Sequence, residues 1–318
     1  MKNLRIVFMG TPDFATHSLK ALNDAGCNIV GVITAPDKPA GRGLKLTQSP
    51  VKQLALELGL NVLQPVNLKD PAFLDELKAL QPDLQVIVAF RMLPESVWAL
   101  PPKGSFNLHA SLLPQYRGAA PINWAVINGE SQTGVTTFFL KHEIDTGNIL
   151  FQENVLILPE DTAGIVHDKL MLTGAELVVK TAQAIFEGKI TAISQESVAK
   201  TTLKGAPKIF KDDCRISWQQ PAREIYNKIR GLSPYPTAWS ELVHPDGTTT
   251  MVKIFFTKEA NSSDLKPGET WCDGKKTILT GTGTHDLILT DIQLAGKKRM
   301  PIEEMLKGFR WQEGLVLK

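Results

Sequence analysis

The residues whose type and spacing best suit chemistry are Asn107 and His109, in the run Phe106-Asn107-Leu108-His109-Ala110-Ser111-Leu112-Leu113-Pro114. One residue separates them, so in an extended segment both side chains point to the same side. The asparagine amide can donate a hydrogen bond, and the histidine can accept or donate a proton near neutral pH. Downstream lies Asp145-Thr146-Gly147, an acid in a turn-like setting. Asn, His and Asp converging on one point suit acyl transfer to an amine. The histidine handles the proton, the asparagine steadies the developing oxyanion, and the aspartate orients and charges the histidine. His109 taken alone reads as a satisfied core histidine; its company and its strand-end position argue for catalysis. His17, His142, His167, His244 and His285 have no such company and read as structural or surface residues.

Such side chains need a strand end to stand on. Residues 4–9 form a short, nearly all-apolar run, as expected of a buried parallel strand. Gly10-Thr11-Pro12 follows, with Thr11 able to cap a helix and Pro12 at its first position. That helix runs toward Gly26, a natural stop. Further strands are predicted at 29–34, 61–64, 84–89 and 105–109, with helices from Ser49-Pro50 to near Gly59 and over 71–80. This is a doubly wound α/β pattern, in which ligands sit outside the carboxyl ends of strands, where Asn107 and His109 lie. Strands at 134–140 and 149–158 follow, then a long helix over 161–187, capped by Asp161 or Thr162 and stopped by Gly188. Residues 189–208 are polar and lysine-bearing and read as a linker. Beyond them, a helix around 221–230 leads into a rigid turn, Gly231-Leu232-Ser233-Pro234-Tyr235-Pro236. Short β-rich runs at 238–243, 251–257, 277–281 and 287–294 suggest a small barrel. The expected division is a domain over 1–205, its linker starting at about 189, and a second over 206–318.

Length and composition fit that division. A chain of 318 residues suggests two domains, and 43% apolar residues suffice for ordinary cores. No apolar run reaches the roughly 18–20 residues of a membrane span. No signal-peptide pattern opens the chain, and Cys27, Cys214 and Cys272 have neither disulfide-framework nor zinc-site spacing. The expected setting is a reducing cytoplasm. Net charge is +2, and residues 208–318 hold 17 Lys+Arg against 14 Asp+Glu, which fits a phosphate-bearing partner without requiring one. Gly10-Thr11-Pro12-Asp13 reads equally as a phosphate site at a helix N-terminus or as a plain strand-to-helix turn; lacking Gly-x-Gly-x-x-Gly, it disfavours a dinucleotide. Gly281-Thr282-Gly283-Thr284 precedes no helix and reads as a hairpin turn. Residues 36–45 form a long loop carrying Lys38, Arg42 and Lys45 against Asp37, and loops of that length are uncommon without a task. Lys200, Lys204, Lys208 and Lys211 recur every three or four residues before the barrel. They either meet phosphates or keep a linker soluble.

The Asn-x-His pair, the run Ser111-Leu112-Leu113-Pro114-Gln115-Tyr116-Arg117-Gly118 and the later Asp-x-Gly, in that order, resemble the folate-dependent formyltransferases. The likeness is to the branch whose acceptor is the α-amine of initiator methionyl-tRNA. Ile229-Arg230-Gly231-Leu232-Ser233-Pro234-Tyr235-Pro236-Thr237-Ala238-Trp239 matches the entry to that family's second domain. Gly296-Lys297-Lys298-Arg299-Met300 matches its closing segment, so the resemblance covers essentially the whole chain. It implies a Rossmann-like catalytic domain followed by an OB-like tRNA-binding barrel, a type that binds nucleic acids readily. It implies Asn107, His109 and Asp145 as catalytic residues, and 10-formyltetrahydrofolate as formyl donor with no metal. The folate pocket would be lined by Phe90, Arg91, Met92 and Leu93 and by Ser111, Leu112, Leu113 and Pro114. The family more often shows Tyr-Gly where this chain has Phe90-Arg91, a change that removes a hydroxyl and adds a charge near the pterin entrance. The 36–45 loop would enter the tRNA acceptor region, with Lys38 and Lys45 beside Arg42, the main contact. Lys204, Lys208 and Lys211 are further expected tRNA contacts, and neither a membrane nor an obligate protein partner is expected. Sister formyltransferases that act on a nucleotide-linked amino sugar or on glycinamide ribonucleotide would share the Asn-His-Asp core but lack the basic loop. A nucleic-acid-binding protein with an inactive α/β domain is disfavoured by the intact triad.

Overall fold

The computed structural model describes residues 1–40, 45–199, 202–262, 264–309 and 311–318. The chain forms two compact units, neither continuous in sequence. The first takes Met1–Gly118, Thr133–Leu156 and His167–Gly205; the second takes Ala119–Gln132, Ile157–Val166 and Ala206–Lys318.

The first unit is built on one sheet in the strand order Ile149–Leu156, Gln132–Phe139, Ser105–His109, Leu84–Val88, Arg5–Gly10, Asn28–Ile33, Val62–Leu63. The five strands from Ser105–His109 to Val62–Leu63 run parallel. Leu84–Val88 is buried along its whole length, Gln85 included, as expected of a strand covered on both faces. Gln132–Phe139 joins Ser105–His109 antiparallel, so the sheet is mixed. The Asp13–Asp24 helix buries Phe14, Ala15, Ser18, Leu19 and Leu22, one stripe at helical spacing. Its cap differs from expectation: Pro12 is the N-cap residue and no side chain caps the helix. Gly10 is needed for packing, because a Cβ there would lie 2.7 Å from the Ala15 Cβ and 3.0 Å from the Val88 carbonyl oxygen. The Pro50–Glu57 helix starts as Ser49-Pro50 predicts, with the Ser49 hydroxyl accepting from the Lys52 amide at 3.0 Å.

Two segments read as loops carry structure. Lys38–Ala40 pairs antiparallel with Lys45–Thr47, so the described parts of the long basic loop belong to a two-stranded ribbon. At its base the Asp37 carboxylate takes hydrogen bonds from Lys52 Nζ at 2.6 Å and Gln64 Nε2 at 2.8 Å. The expected linker is likewise stitched to the first unit. Ile193 and Ile149 exchange backbone hydrogen bonds of 2.8 Å, a short helix spans Gln195–Val198, and the Lys204 carbonyl accepts the Tyr116 amide at 2.7 Å. Strands of two or three residues are too short to show a period, which is why neither segment announces itself.

In the second unit the antiparallel strand order is Thr270–Cys272, Ile278–Thr280, Leu287–Leu294, Thr249–Glu259, Ala238–Val243, Val316–Leu317. A bridge from Glu269 to Val316 brings the two edges together, so the expected small barrel closes on itself. Ala238–Val243 alternates buried and half-buried residues, the period-2 signature of a strand with one face on a core. The Ala222–Leu232 helix sends Ile225, Ile229 and Leu232 into that core beside Trp218, Ile254 and Leu289. At the start of the long helix the Thr162 hydroxyl accepts the Ile165 amide at 3.3 Å. The Gly281-Thr282-Gly283-Thr284 segment connects two paired strands, as a turn does. The Gly281 and Gly283 amides are bonded to the carbonyls of Glu269 and Gln220, so they are not free to cradle a phosphate. No helix among the described residues is long and apolar enough to cross a membrane.

Candidate active site

Asn107 and His109 stand at the carboxyl end of the Ser105–His109 strand, and Asn107 is registered against Ile87 of the buried neighbouring strand. Asn107 is half-buried, and its amide makes no hydrogen bond with any described side chain or backbone group. His109 is buried at 7% exposure, with Nε2 lying 2.9 Å from the Tyr116 carbonyl oxygen. A carbonyl can only accept, so Nε2 carries the hydrogen and, in the neutral ring, Nδ1 carries the lone pair. That Nδ1 faces Asp145 Oδ2 at 3.9 Å. The separation is too long for a direct hydrogen bond. The ring is therefore oriented by the Tyr116 carbonyl, where the sequence suggested Asp145, while the carboxylate supplies charge close by.

The loops that carry these partners are held in costly conformations. Tyr116 has φ 59° and Asp145 φ 56°, left-handed values that cost non-glycine residues about 1–3 kcal/mol each. Asp145 Oδ2 also accepts the Gly118 amide at 3.0 Å, which links the two loops. Gly147 lets the Asp145 turn lie flat on the sheet: a Cβ there would fall 1.6 Å from the Phe139 carbonyl oxygen. Gln195 Nε2 donates to the carbonyls of both Asp145 and Gly147 at 2.8 Å. Its Oε1 accepts from Arg117 Nε at 2.9 Å and from an Arg117 terminal nitrogen at 2.7 Å. Sequence reasoning missed Gln195, the Tyr116 carbonyl and the structural use of Arg117. Nothing marks Gln195, an isolated amide in a polar stretch far from His109.

The remaining expected residues fall in three places. Ser111 is fully buried and donates to the Gln115 carbonyl at 2.6 Å; Leu113 joins Phe138 and Ile149 in a small core. Thr136 Oγ1 takes the Leu113 amide at 3.1 Å and donates to the Ser111 carbonyl at 2.7 Å. Leu112 is half-buried and Pro114 buried, so residues 111–114 form a packed support beneath the strand end. After the Leu84–Val88 strand, Phe90 and Leu93 are half-buried against a core that also takes Leu140, while Arg91 and Met92 are exposed. The Arg91 guanidinium bonds to the carbonyls of Val66 and Pro65. Lys38 is exposed on its ribbon strand, Lys45 lies on the facing strand, and Arg42 and Lys200 lie outside the described residues. Lys204, Lys208 and Lys211 are exposed. In the second unit Lys208 lies 5.2 Å from the Phe210 ring centre and Lys211 5.9 Å from that of Trp239. Among the described residues no group of three His, Cys, Asp or Glu side chains is placed to hold a metal.

Residues 4–182 match the formyl transferase family, and residues 208–310 match the formyl transferase C-terminal domain. A protein named methionyl-tRNA formyltransferase from Bacteroides fragilis is 54% identical over 319 residues, covering 100% of this chain and 98% of the relative. One of the same name from Parabacteroides distasonis is 56% identical over 313 residues, covering 97% of each. Among solved structures the fold is shared with WlaRD, a sugar 3N-formyl transferase, at TM-score 0.65 and 20% identity, over 93% of this chain and 99% of that one. It is also shared with HypX from Aquifex aeolicus in complex with tetrahydrofolic acid, at TM-score 0.63 and 18% identity, over 99% of this chain and 50% of that one. The chain belongs to the formyl transferase family.

Proposed function

We propose that this protein transfers the formyl group of 10-formyltetrahydrofolate to the α-amine of initiator methionyl-tRNA, in the cytoplasm, as a step of translation initiation. The observation that carries the reading is the uncommitted Asn107 amide beside a histidine whose Nδ1 faces a carboxylate. Phe90, Leu93 and Leu140, half-buried at the strand ends, offer the apolar surface that a flat pterin ring needs. The backbone of 90–93 and the 111–114 segment are the elements that would hold it. Bound there, the donor supplies a carbonyl whose oxygen gains negative charge on attack and whose nitrogen leaves with a proton.

Asn107 donates to that oxygen as the charge appears. His109 cannot exchange its Nε2 proton without breaking the bond to Tyr116, so its proton traffic runs through Nδ1. While the ring is neutral, Nδ1 and the Asp145 carboxylate are both acceptors and form no bond. When Nδ1 takes the proton released by the attacking amine, the new N–H faces the carboxylate until that proton passes to the departing folate nitrogen and the ring returns to neutral. The pair thus interacts most strongly as charge develops, which raises turnover more than it raises substrate binding. For the acceptor, Lys38, Arg42 and Lys45 of the basic 36–45 segment would meet the acceptor end, and Lys204, Lys208 and Lys211 the tRNA backbone.

The test is formyl transfer with charged initiator tRNA, charged elongator tRNA and free methionine as alternative acceptors, in wild type and Asn107→Ala. Charged initiator tRNA should be the preferred acceptor. The variant should keep its melting temperature and lose about 10²–10³ in turnover, the usual cost of one oxyanion donor. Turnover within a few-fold of wild type removes Asn107 from the oxyanion role; equal use of free methionine removes tRNA as the substrate.

A further inference from the structure

The Gln195 side chain touches neither His109 nor the Asp145 carboxylate, yet it joins the two loops that place them. It is buried at 2% exposure and arrives from within the segment read as a linker. Its amide nitrogen spends both hydrogens on the carbonyls of Asp145 and Gly147, and its oxygen takes two N–H groups of Arg117. Arg117 lies between Tyr116, whose carbonyl holds His109, and Gly118, whose amide holds Asp145. A primary amide is the group that can do this. It donates twice on one side and accepts twice on the other, and a carboxylate or an apolar residue of that size does not. Buried carbonyls left without donors would reopen the turn to water, and Asp145, already in the left-handed region, would relax away from 3.9 Å.

We propose that Gln195, braced by Arg117, is a positioning residue that sets the distance between the Asp145 carboxylate and His109. The inference rests on the reading of His109 and Asp145 as an acting pair. It separates the donor-and-acceptor amide from a mere filler of space, and the experiment does the same. Gln195→Leu, Gln195→Glu, Asp145→Ala and the double variant Asp145→Ala/Gln195→Leu are compared in turnover, KM for each substrate and melting temperature. Gln195→Glu keeps an acceptor for Arg117 but sets anionic oxygen against two carbonyl oxygens. Both single Gln195 variants should lose about 10- to 100-fold in turnover, the scale of a misplacement near 1 Å, with folate KM within about threefold. In the double variant the Gln195 change should cost less than about twofold beyond Asp145→Ala, because its effect passes through Asp145.

Losses that multiply in the double variant overturn the inference and make Gln195 a general staple of the fold. Full activity of Gln195→Glu overturns it as well, since the two donors would then be dispensable. Should Gln195→Leu not fold, Gln195→Glu in the wild-type and Asp145→Ala backgrounds gives the same cycle. If Asp145→Ala itself is fully active, the underlying reading of the site fails. If Asp145→Ala is impaired and the Gln195 variants are not, only the positioning role fails.

Discussion

Asp145→Asn changes charge with little change of shape. In the variant the amide oxygen can take over the 3.0 Å bond from the Gly118 amide, so the loop link survives. What goes is the negative charge 3.9 Å from His109 Nδ1. The two side chains are 7% and 13% exposed, so solvent screens the pair only partly. At an effective dielectric constant of about 20, unit charges at 3.9 Å interact by roughly 4 kcal/mol. That sum is a ceiling on what Asp145 contributes once the ring is charged, and it corresponds to about 10³ in rate. Since the hydrogen bond at rest is absent, the loss should fall on turnover, with both KM values within about threefold and a melting temperature lowered by only a few degrees, at ~2–4 °C per kcal/mol. Rapid-quench single turnovers with charged initiator tRNA and saturating 10-formyltetrahydrofolate measure the step directly. A rate within threefold of wild type, or a loss carried entirely by KM, refutes the charge-pairing argument.

Two further outcomes follow from other parts of the molecule. The Asp37 carboxyl at the base of the basic ribbon is held below the usual carboxylate range, chiefly by the hydrogen bond from Lys52 and next by that from Gln64. A depressed folded-state value stabilises the fold above the unfolded value and is lost as pH falls through the folded one. The melting-temperature gap between wild type and Asp37→Asn should therefore be full at about pH 6 and close progressively below about pH 4; a gap that widens toward acid would contradict the ion pair. Neutralising Lys204, Lys208 and Lys211 should flatten the slope of log affinity for tRNA against log salt by up to about 0.7–0.9 per lost phosphate contact, equally for initiator and elongator tRNA. An unchanged slope would falsify these lysines as phosphate contacts.

Local signals carried the first layers of the architecture. The nearly all-apolar run at 4–9, broken only by Arg5, announced a buried parallel strand, because a strand covered on both faces has no polar side to alternate with. Ser49-Pro50 announced a helix start through cap chemistry that needs only neighbouring residues. Short β-rich runs separated by Gly/Asp turns, 238–243 among them, announced the barrel strands. Thr11 failed as a cap because proximity in sequence to a helix start does not aim a hydroxyl at it.

The sequence by itself determined the chemistry available: Asn107 and His109 at one strand end, an acid at 145, and the run from Ser111 to Gly118 that ties the chain to its family. Tertiary structure alone decided how those groups are aimed. The His109 tautomer depends on a carbonyl seven positions away, which has no residue-type signature because every residue carries one. The Asp145 turn depends on Gln195, fifty positions downstream, and on the space that Gly147 leaves beside Phe139. Backbone carbonyls, loop conformations and contacts between distant segments have no periodicity along a chain; they take their positions only when the fold brings those segments into register.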